Sequence, residues 1–284
     1  MDGFIFLDKQ EGVTSTQEGS RIKHFFHTKK VGHVGTLDPF ATGLLIIGVN
    51  KGTKAITFFD DFSKEYIATI KLGEVTDSLD LTGKVIETKD IPSLSKDKIK
   101  EVLHSFLGKS KQLPPMTSAI RIDGKRLYKL AHQGKEIERP YRDIEVFEIE
   151  LLDYQTDEIT FRALVSKGTY IRVLGSDIAN KIGTVGHLTK LRRTKVGPFS
   201  VEDAVKIDDV SEESLKSTFE VLKMFSKVIE FDEQRINDIK NGKIKYLDET
   251  YPQNRLLVVD SNNTAIAMYV KNNDNRYEFA RGLF

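Results

Sequence analysis

The sequence predicts an α+β protein in two unequal parts, and three observations predict it. Short apolar or alternating runs of strand length recur along the chain. A few stretches between them carry the 3.6-residue periodicity of amphipathic helices. From about residue 230 the pattern changes to short strands separated by Asp/Asn-rich turns. With 284 residues and roughly 150 residues per domain, two domains are expected, 1–229 and 230–284.

The first strand candidate is Phe4-Ile5-Phe6-Leu7, followed by a polar turn, Asp8-Lys9-Gln10-Glu11-Gly12. Thr14, Ser15 or Thr16 is placed to cap a helix to about His27 that buries Ile22, Phe25 and Phe26. A glycine-dense segment follows, with Gly32, Gly35, Gly43, Gly48 and Gly52. Within it Leu44-Leu45-Ile46-Ile47 reads as a buried strand. Residues 66–72 put Tyr66, Ala68, Ile70 and Leu72 on one face of a strand. Ser95 caps a helix carrying Ile99, Val102, Leu103, Phe106 and Leu107, which Gly108 ends. Residues 109–143, with Pro114-Pro115 and Pro140, read as an excursion holding a short helix near 127–131. Residues 144–152 and 159–165 read as an antiparallel pair. Lys167-Gly168-Thr169-Tyr170-Ile171-Arg172 leads into a helix to about Ile182, a basic segment runs through Leu191-Arg192-Arg193, and residues 211–227 are mixed and helical. Residues 255–259, 265–271 and 277–284 are the three strands of the second part.

Composition excludes several classes. The absence of cysteine removes disulfides, thiol nucleophiles and thiolate metal sites. Of six histidines, His24 and His27 alone lie close together, on a basic helix where a surface role is the ordinary one, so no metal is expected. The longest uncharged run, residues 39–50, is twelve long, against roughly 20 for a membrane span. The N-terminus lacks the basic region of a secretory signal, so a soluble cytoplasmic protein is expected. Net charge is +1, from 43 basic and 42 acidic residues, but it is unevenly spread. Residues 21–30 and 190–195 each carry four basic residues and no acid, whereas 143–158 carry seven acids and no base. Such clustering can build a phosphate-attracting face on a neutral protein.

The segment richest in chemistry is Gly32-His33-Val34-Gly35-Thr36-Leu37-Asp38-Pro39-Phe40-Ala41-Thr42-Gly43-Leu44-Leu45-Ile46-Ile47-Gly48. One reading makes Asp38 a helix N-cap with Pro39 at the first helical position and Gly43 ending a single turn. It leaves Gly32, Gly35 and His33 unexplained. The other reading is an active-site loop: glycines let a substrate approach the backbone, and the proline holds the preceding Asp38 out of the α region.

This segment resembles the catalytic motif of the pseudouridine synthases, in the branch of the bacterial tRNA pseudouridine-55 synthases. Asp8-Lys9 with Gly12 resembles the family's N-terminal motif, and Lys64-Glu65-Tyr66 its tyrosine motif. Residues 118–128 resemble its RNA-gripping insertion. Ser166-Lys167-Gly168-Thr169-Tyr170-Ile171-Arg172 resembles its arginine motif, and Leu191-Arg192-Arg193 its later basic motif. Together these cover most of residues 3–200. Residues 230–284 resemble, over a shorter match, a small RNA-binding domain of the PUA type. Gln10 stands where the family usually has proline, and Val34 and Phe40 replace commoner residues.

The resemblance implies a mixed, largely antiparallel central sheet with a β-rich C-terminal domain. It implies isomerisation of a uridine in the T-loop of tRNA, position 55, to pseudouridine, with no metal or organic cofactor. Asp38 would be the essential carboxylate, as nucleophile or base. Tyr66 would stack on the base, the alternative being a sheet-face tyrosine. Arg172 would pair with Asp38 and keep it ionised. The uridine must leave its stack, and His33 would fill the vacated space. Lys9, Thr36, Leu37, Tyr170, Leu191 and Arg192 would line the RNA site. Lys125, Arg126 and Tyr128, on the 109–143 insertion, would grip the loop. A monomer acting on the tRNA T-arm without an obligatory protein partner is expected. Two alternatives are an RNA-binding or tRNA-folding protein with secondary or lost catalysis, and a catalytic subunit of an RNA-guided complex.

Overall fold

The computed structural model describes residues 1–116, 118, 121–122, 125–126 and 137–284. Its first elements are β1 (Gly3–Lys9), α1 (Ser15–Phe25), β2 (Val31–Val34), β3 (Thr42–Val49), β4 (Lys64–Leu72), β5 (Glu74–Thr76) and β6 (Val85–Thr88). Then come α2 (Lys96–His104), β7 (Gly108–Gln112), β8 (Arg121–Ile122), β9 (Lys125–Arg126), β10 (Arg142–Gln155), β11 (Glu158–Val165), α3 (Ile171–Ile182) and β12 (Gly186–Val196). The last are β13 (Phe199–Ser200), β14 (Lys216–Ser217), α4 (Thr218–Leu222), β15 (Lys227–Glu230), α5 (Glu233–Lys240), β16 (Tyr246–Leu247), β17 (Arg255–Val259), β18 (Ala265–Lys271) and β19 (Tyr277–Gly282). The chain forms two compact units. One holds Met1–Pro39, Gly43–Asp60 and Pro198–Phe284, and the other Phe40–Thr42 and Asp61–Gly197.

In the first unit β3 is a continuous apolar run because it is covered on both faces: Leu44, Leu45, Ile46 and Ile47 have no exposure. β1 pairs with it antiparallel over its whole length, from Gly3 opposite Val49 to Lys9 opposite Gly43. β2 pairs with it antiparallel, from Val31 opposite Val49 to Val34 opposite Ile46. Phe59, from the 3₁₀ turns Asn50–Phe59, stacks with Phe4, Phe199 and Phe225 at 5.2, 5.6 and 5.4 Å between ring centres. Each such buried side chain contributes about 2 kcal/mol, so this aromatic cluster ties the N-terminal strand to residues two hundred positions later.

The C-terminal segment builds its own sheet, in the order β15-β17-β18-β19-β16. Its three longer strands start where the alternation predicts. The helix α5, capped by Asp232, and the parallel strand β15 complete it. Its core gathers Phe231, Ile236, Leu256, Val258, Tyr269 and Tyr277.

The second unit contributes the strand order β12-β4-β11-β10-β7, with every ladder along it antiparallel. The α+β class and the largely antiparallel sheet are therefore as expected. α3 packs on β12 and β4, and α2 on β10. Four local expectations are corrected. α1 ends at Phe25 and buries Ile22, but Phe25 is 44% exposed and Phe26 half-buried. α2 stops at His104, before Phe106 and Leu107, because the chain turns there and enters β7. The basic segment around Arg192 is one of the longest strands, β12. The stretch around Pro39 forms no helix but a turn. The short helix expected near 127–131 lies outside the described residues.

Candidate active site

Asp38 sits in residues 35–41, the loop between β2 and β3, and is half-buried. Glycine is favoured at the start of this loop and just inside β3 beyond it: Gly35 has φ +60° and Gly43 φ +101°, where a side chain is strained. Its neighbours Leu37, Phe40 and Ala41 are buried. The N-terminal segment grips the loop on both sides of Asp38. Pro39 O accepts from Gly12 N at 2.8 Å and from Lys9 Nζ at 3.2 Å. Leu37 is bonded through both its backbone groups to the Ser15 hydroxyl.

Lys9 is the clearest difference from expectation. The sequence places it in a polar turn and the resemblance against RNA, but it ends β1 and has no exposure. A side chain so enclosed makes no RNA contact in this conformation, and its ammonium serves the backbone of Gln10 and Pro39. Glu18, 1% exposed, lies on the adjoining helix. Burial raises its carboxyl above the usual range, and the charges of Arg21 and Lys9 partly offset this. His33 is half-buried in β2, opposite Ile47, and Thr36 is exposed.

Tyr66, Tyr170, Arg172, Leu191 and Arg192 belong to the second unit. Tyr66 lies in β4 opposite Ala163 on one side and Arg193 on the other. Next to it, burial opposes ionisation of Glu65. Hydrogen bonds from Thr194 and Arg162, with the charge of Lys195, outweigh this and hold its carboxyl below the usual range. Tyr170 is the N-cap of α3, and Gln112 clamps its backbone, accepting from Tyr170 N at 2.8 Å and donating to Tyr170 O at 3.1 Å. Leu191 is buried opposite Ala68, and Arg192 is half-buried opposite Ile67.

Arg172, one residue into α3, is almost completely buried. Its Nη1 donates to Ser78 O at 2.8 Å and lies 3.5 Å from Asp80 Oδ2. Asp80 is in turn held by Ser78 Oγ at 2.7 Å, Thr82 N at 2.9 Å and Thr82 Oγ1 at 2.5 Å. The sequence marks residues 73–83 as turn-rich and acidic but assigns Asp80 itself no role. Lys125 and Arg126 form one side of the β8–β9 hairpin by their backbone, and Tyr128 lies outside the described residues.

Comparison with known proteins gives this geometry a lineage. Residues 23–171 match the profile of the TruB family pseudouridylate synthase N-terminal domain, and residues 172–230 that of the tRNA pseudouridylate synthase B C-terminal domain. A tRNA pseudouridine synthase B of Geobacter sulfurreducens is 45% identical over 212 residues, 75% of this chain and 70% of that one. One of Clostridium tetani is 41% identical over 249 residues, 86% of each. Among solved structures, a chain in the crystal structure of a Cbf5-Nop10-Gar1 complex superposes with a TM-score of 0.74. It covers 99% of this chain and 85% of that one at 22% identity, a likeness of fold. Both profiles and both relatives agree: the chain belongs to the TruB family of pseudouridylate synthases, enzymes that isomerise uridine in RNA.

Proposed function

We propose that this chain converts the uridine at position 55, in the T-loop of tRNA, to pseudouridine, with Asp38 as its catalytic carboxylate. The observation that carries the reading is Asp38 itself: the carboxylate of a glycine-flanked loop whose backbone is held on both sides of it, in a chain of this family. The C1′–N1 glycosidic bond breaks, the base turns, and C5 bonds to C1′. The proton leaves C5 and N1 regains one, so the product is an isomer. Asp38 acts as nucleophile at the sugar or as base toward a sugar proton. Tyr66 supplies the ring against which the flipped base stacks, and Arg172 the cation of the site. His33, Thr36, Leu37, Tyr170, Leu191 and Arg192 line the RNA site. The insertion with Lys125, Arg126 and Tyr128 grips the T-arm, and residues 230–284 add RNA affinity. The chain works as a cytoplasmic monomer on tRNA, with no partner protein, metal or cofactor.

The test uses an unmodified tRNA transcript tritiated at uridine C5, incubated without metal or cofactor. Forming the new bond releases the tritium to water. Wild type is expected to release it, and Asp38→Asn to bind tRNA equally well and release none. Binding without release by the folded wild type would instead make the chain an RNA-binding or tRNA-folding protein, or a subunit awaiting a guide RNA.

A further inference from the structure

We propose that Ser15 is a positioning residue for Asp38, its hydroxyl serving as the hinge pin that sets the direction of the catalytic carboxylate. The inference rests on the reading of Asp38 given above and deepens it.

Three features of the structure lead to Ser15. The first is that α1 does not need it. Thr14 already caps the helix, accepting from Gln17 N at 3.1 Å while Gln17 Oε1 accepts from Thr14 N at 2.8 Å. That closed capping box satisfies the helix start, yet Ser15 is only 1% exposed. The second is where its hydroxyl goes. Ser15 Oγ donates to Leu37 O at 3.1 Å and accepts from Leu37 N at 2.9 Å. One side chain thus satisfies both backbone groups of a residue that no strand ladder serves, since β2 ends at Val34 and β3 begins at Thr42.

The third is what the bond controls. Leu37 O belongs to the peptide plane that carries the Asp38 nitrogen. Planarity makes that unit rigid, so holding its oxygen fixes the direction in which Asp38 leaves the chain. On the far side Gly12 N and Lys9 Nζ hold Pro39 O. Gly35, two residues before Leu37, sits in the left-handed region and offers the loop other conformations. On the N-terminal side Ser15 restrains them by holding both backbone groups of Leu37. Reacting groups tolerate only about 0.5 Å of error, and 1 Å of misplacement can cost about 100-fold in rate.

The test compares Ser15→Ala, Ser15→Cys and Ser15→Thr in the tritium-release assay, with wild type and Asp38→Asn alongside. Alanine deletes the pin. Cysteine keeps the shape with a weak donor, and threonine keeps the hydroxyl. We expect kcat to fall about 10- to 100-fold in Ser15→Ala, with KM within about threefold because the enclosed side chain touches no RNA. Ser15→Cys should follow alanine, and Ser15→Thr should recover most of the rate. Hydrogen exchange read on a peptide spanning residues 35–41 should speed up in Ser15→Ala while exchange of β3 and β4 stays at wild-type rates. Should Ser15→Ala not fold, Ser15→Cys carries the comparison. Wild-type kcat in folded Ser15→Ala and Ser15→Cys, a loss confined to KM, or unchanged exchange of the loop would each overturn the proposal. Failure of the wild type to release tritium would instead overturn the functional reading, and the exchange rates would still decide whether Ser15 holds the loop.

Discussion

Asp80 and Arg172 face each other with side chains 5% and 4% exposed, so their attraction is little screened and their desolvation is costly. Such a pair adds little over an apolar one, but removing one partner is expensive. Asp80→Asn is the informative change, because its amide oxygen can still accept from Ser78 and Thr82 and keep the turn. Loss of the charge alone should lower unfolding free energy by on the order of 3 kcal/mol, read by urea denaturation. Tritium release should fall about tenfold or more as Arg172 loses its alignment. An unchanged midpoint would show that Asp80 is not the counter-charge that matters. Neither Asp80 nor Ser15 stood out in the sequence, and for a common reason. Each acts on a residue distant in sequence, 92 and 22 positions away, and spacing carries no signal for such meetings. Local chemistry held a hint at both. Ser78-Leu79-Asp80-Leu81-Thr82 is the pattern of an aspartate-centred turn. Among Thr14-Ser15-Thr16, the Gln17 three residues after Thr14 marks Thr14 as the cap and leaves Ser15 for another task. The proposed roles of Asp38, Tyr66 and Arg172 rest instead on the sequence motifs around them.

Elements whose buried faces are apolar were legible: β1, β3, β11 and the three strands β17, β18 and β19 follow their periodicity. β12 was not, because its interior positions include His187 at 4% and Arg193 at 1% exposure. Alternation of apolar and polar residues cannot reveal a strand that buries its charges. The same disguise hid the end of β1, where Lys9 is enclosed. Across β10, β11 and β4 the charges are paired instead: Arg162 lies 2.9 Å from Glu65 and 2.9 Å from Glu148. This arrangement predicts an acid limb of stability. Glu65 has its carboxyl held below the usual value of 4.5, so the folded state releases its proton more readily than the unfolded one. The stabilisation is fully present above pH 4.5 and disappears as pH falls through the lower folded value. Glu65→Gln should therefore lose stability near neutral pH and narrow its gap to wild type at about pH 3. Equal gaps at both pH values, measured as urea midpoints, would remove Glu65 from the acid response.

At the scale of the molecule, a net charge of +1 conceals surfaces suited to a polyanion, and the fold decides which basic residues serve them. In the cluster at 21–30, Arg21 is tied to Asp208 at 2.5 Å, while Lys23, Lys29 and Lys30 are exposed. In the cluster at 190–195, Arg193 is buried and Lys195 lies 3.6 Å from Glu65. The sequence showed two equal clusters, whereas the structure leaves the first with more exposed charge. If tRNA lies across that face, each lysine that neutralises a phosphate releases counterions, and affinity falls with salt by a slope of about 0.7–0.9 per contact on logarithmic axes. Replacing Lys23, Lys29 and Lys30 together by glutamine should weaken tRNA binding and reduce the slope by about 2. The control is Lys98 and Lys100 on α2, equally exposed but paired with Glu101 and Asp97. Their replacement should leave the slope unchanged. Filter binding of tRNA across a range of salt concentrations measures both. A slope indifferent to the first set would move the phosphate contacts elsewhere. A slope reduced equally by both would mean that the protein's overall charge, rather than a defined face, meets the RNA.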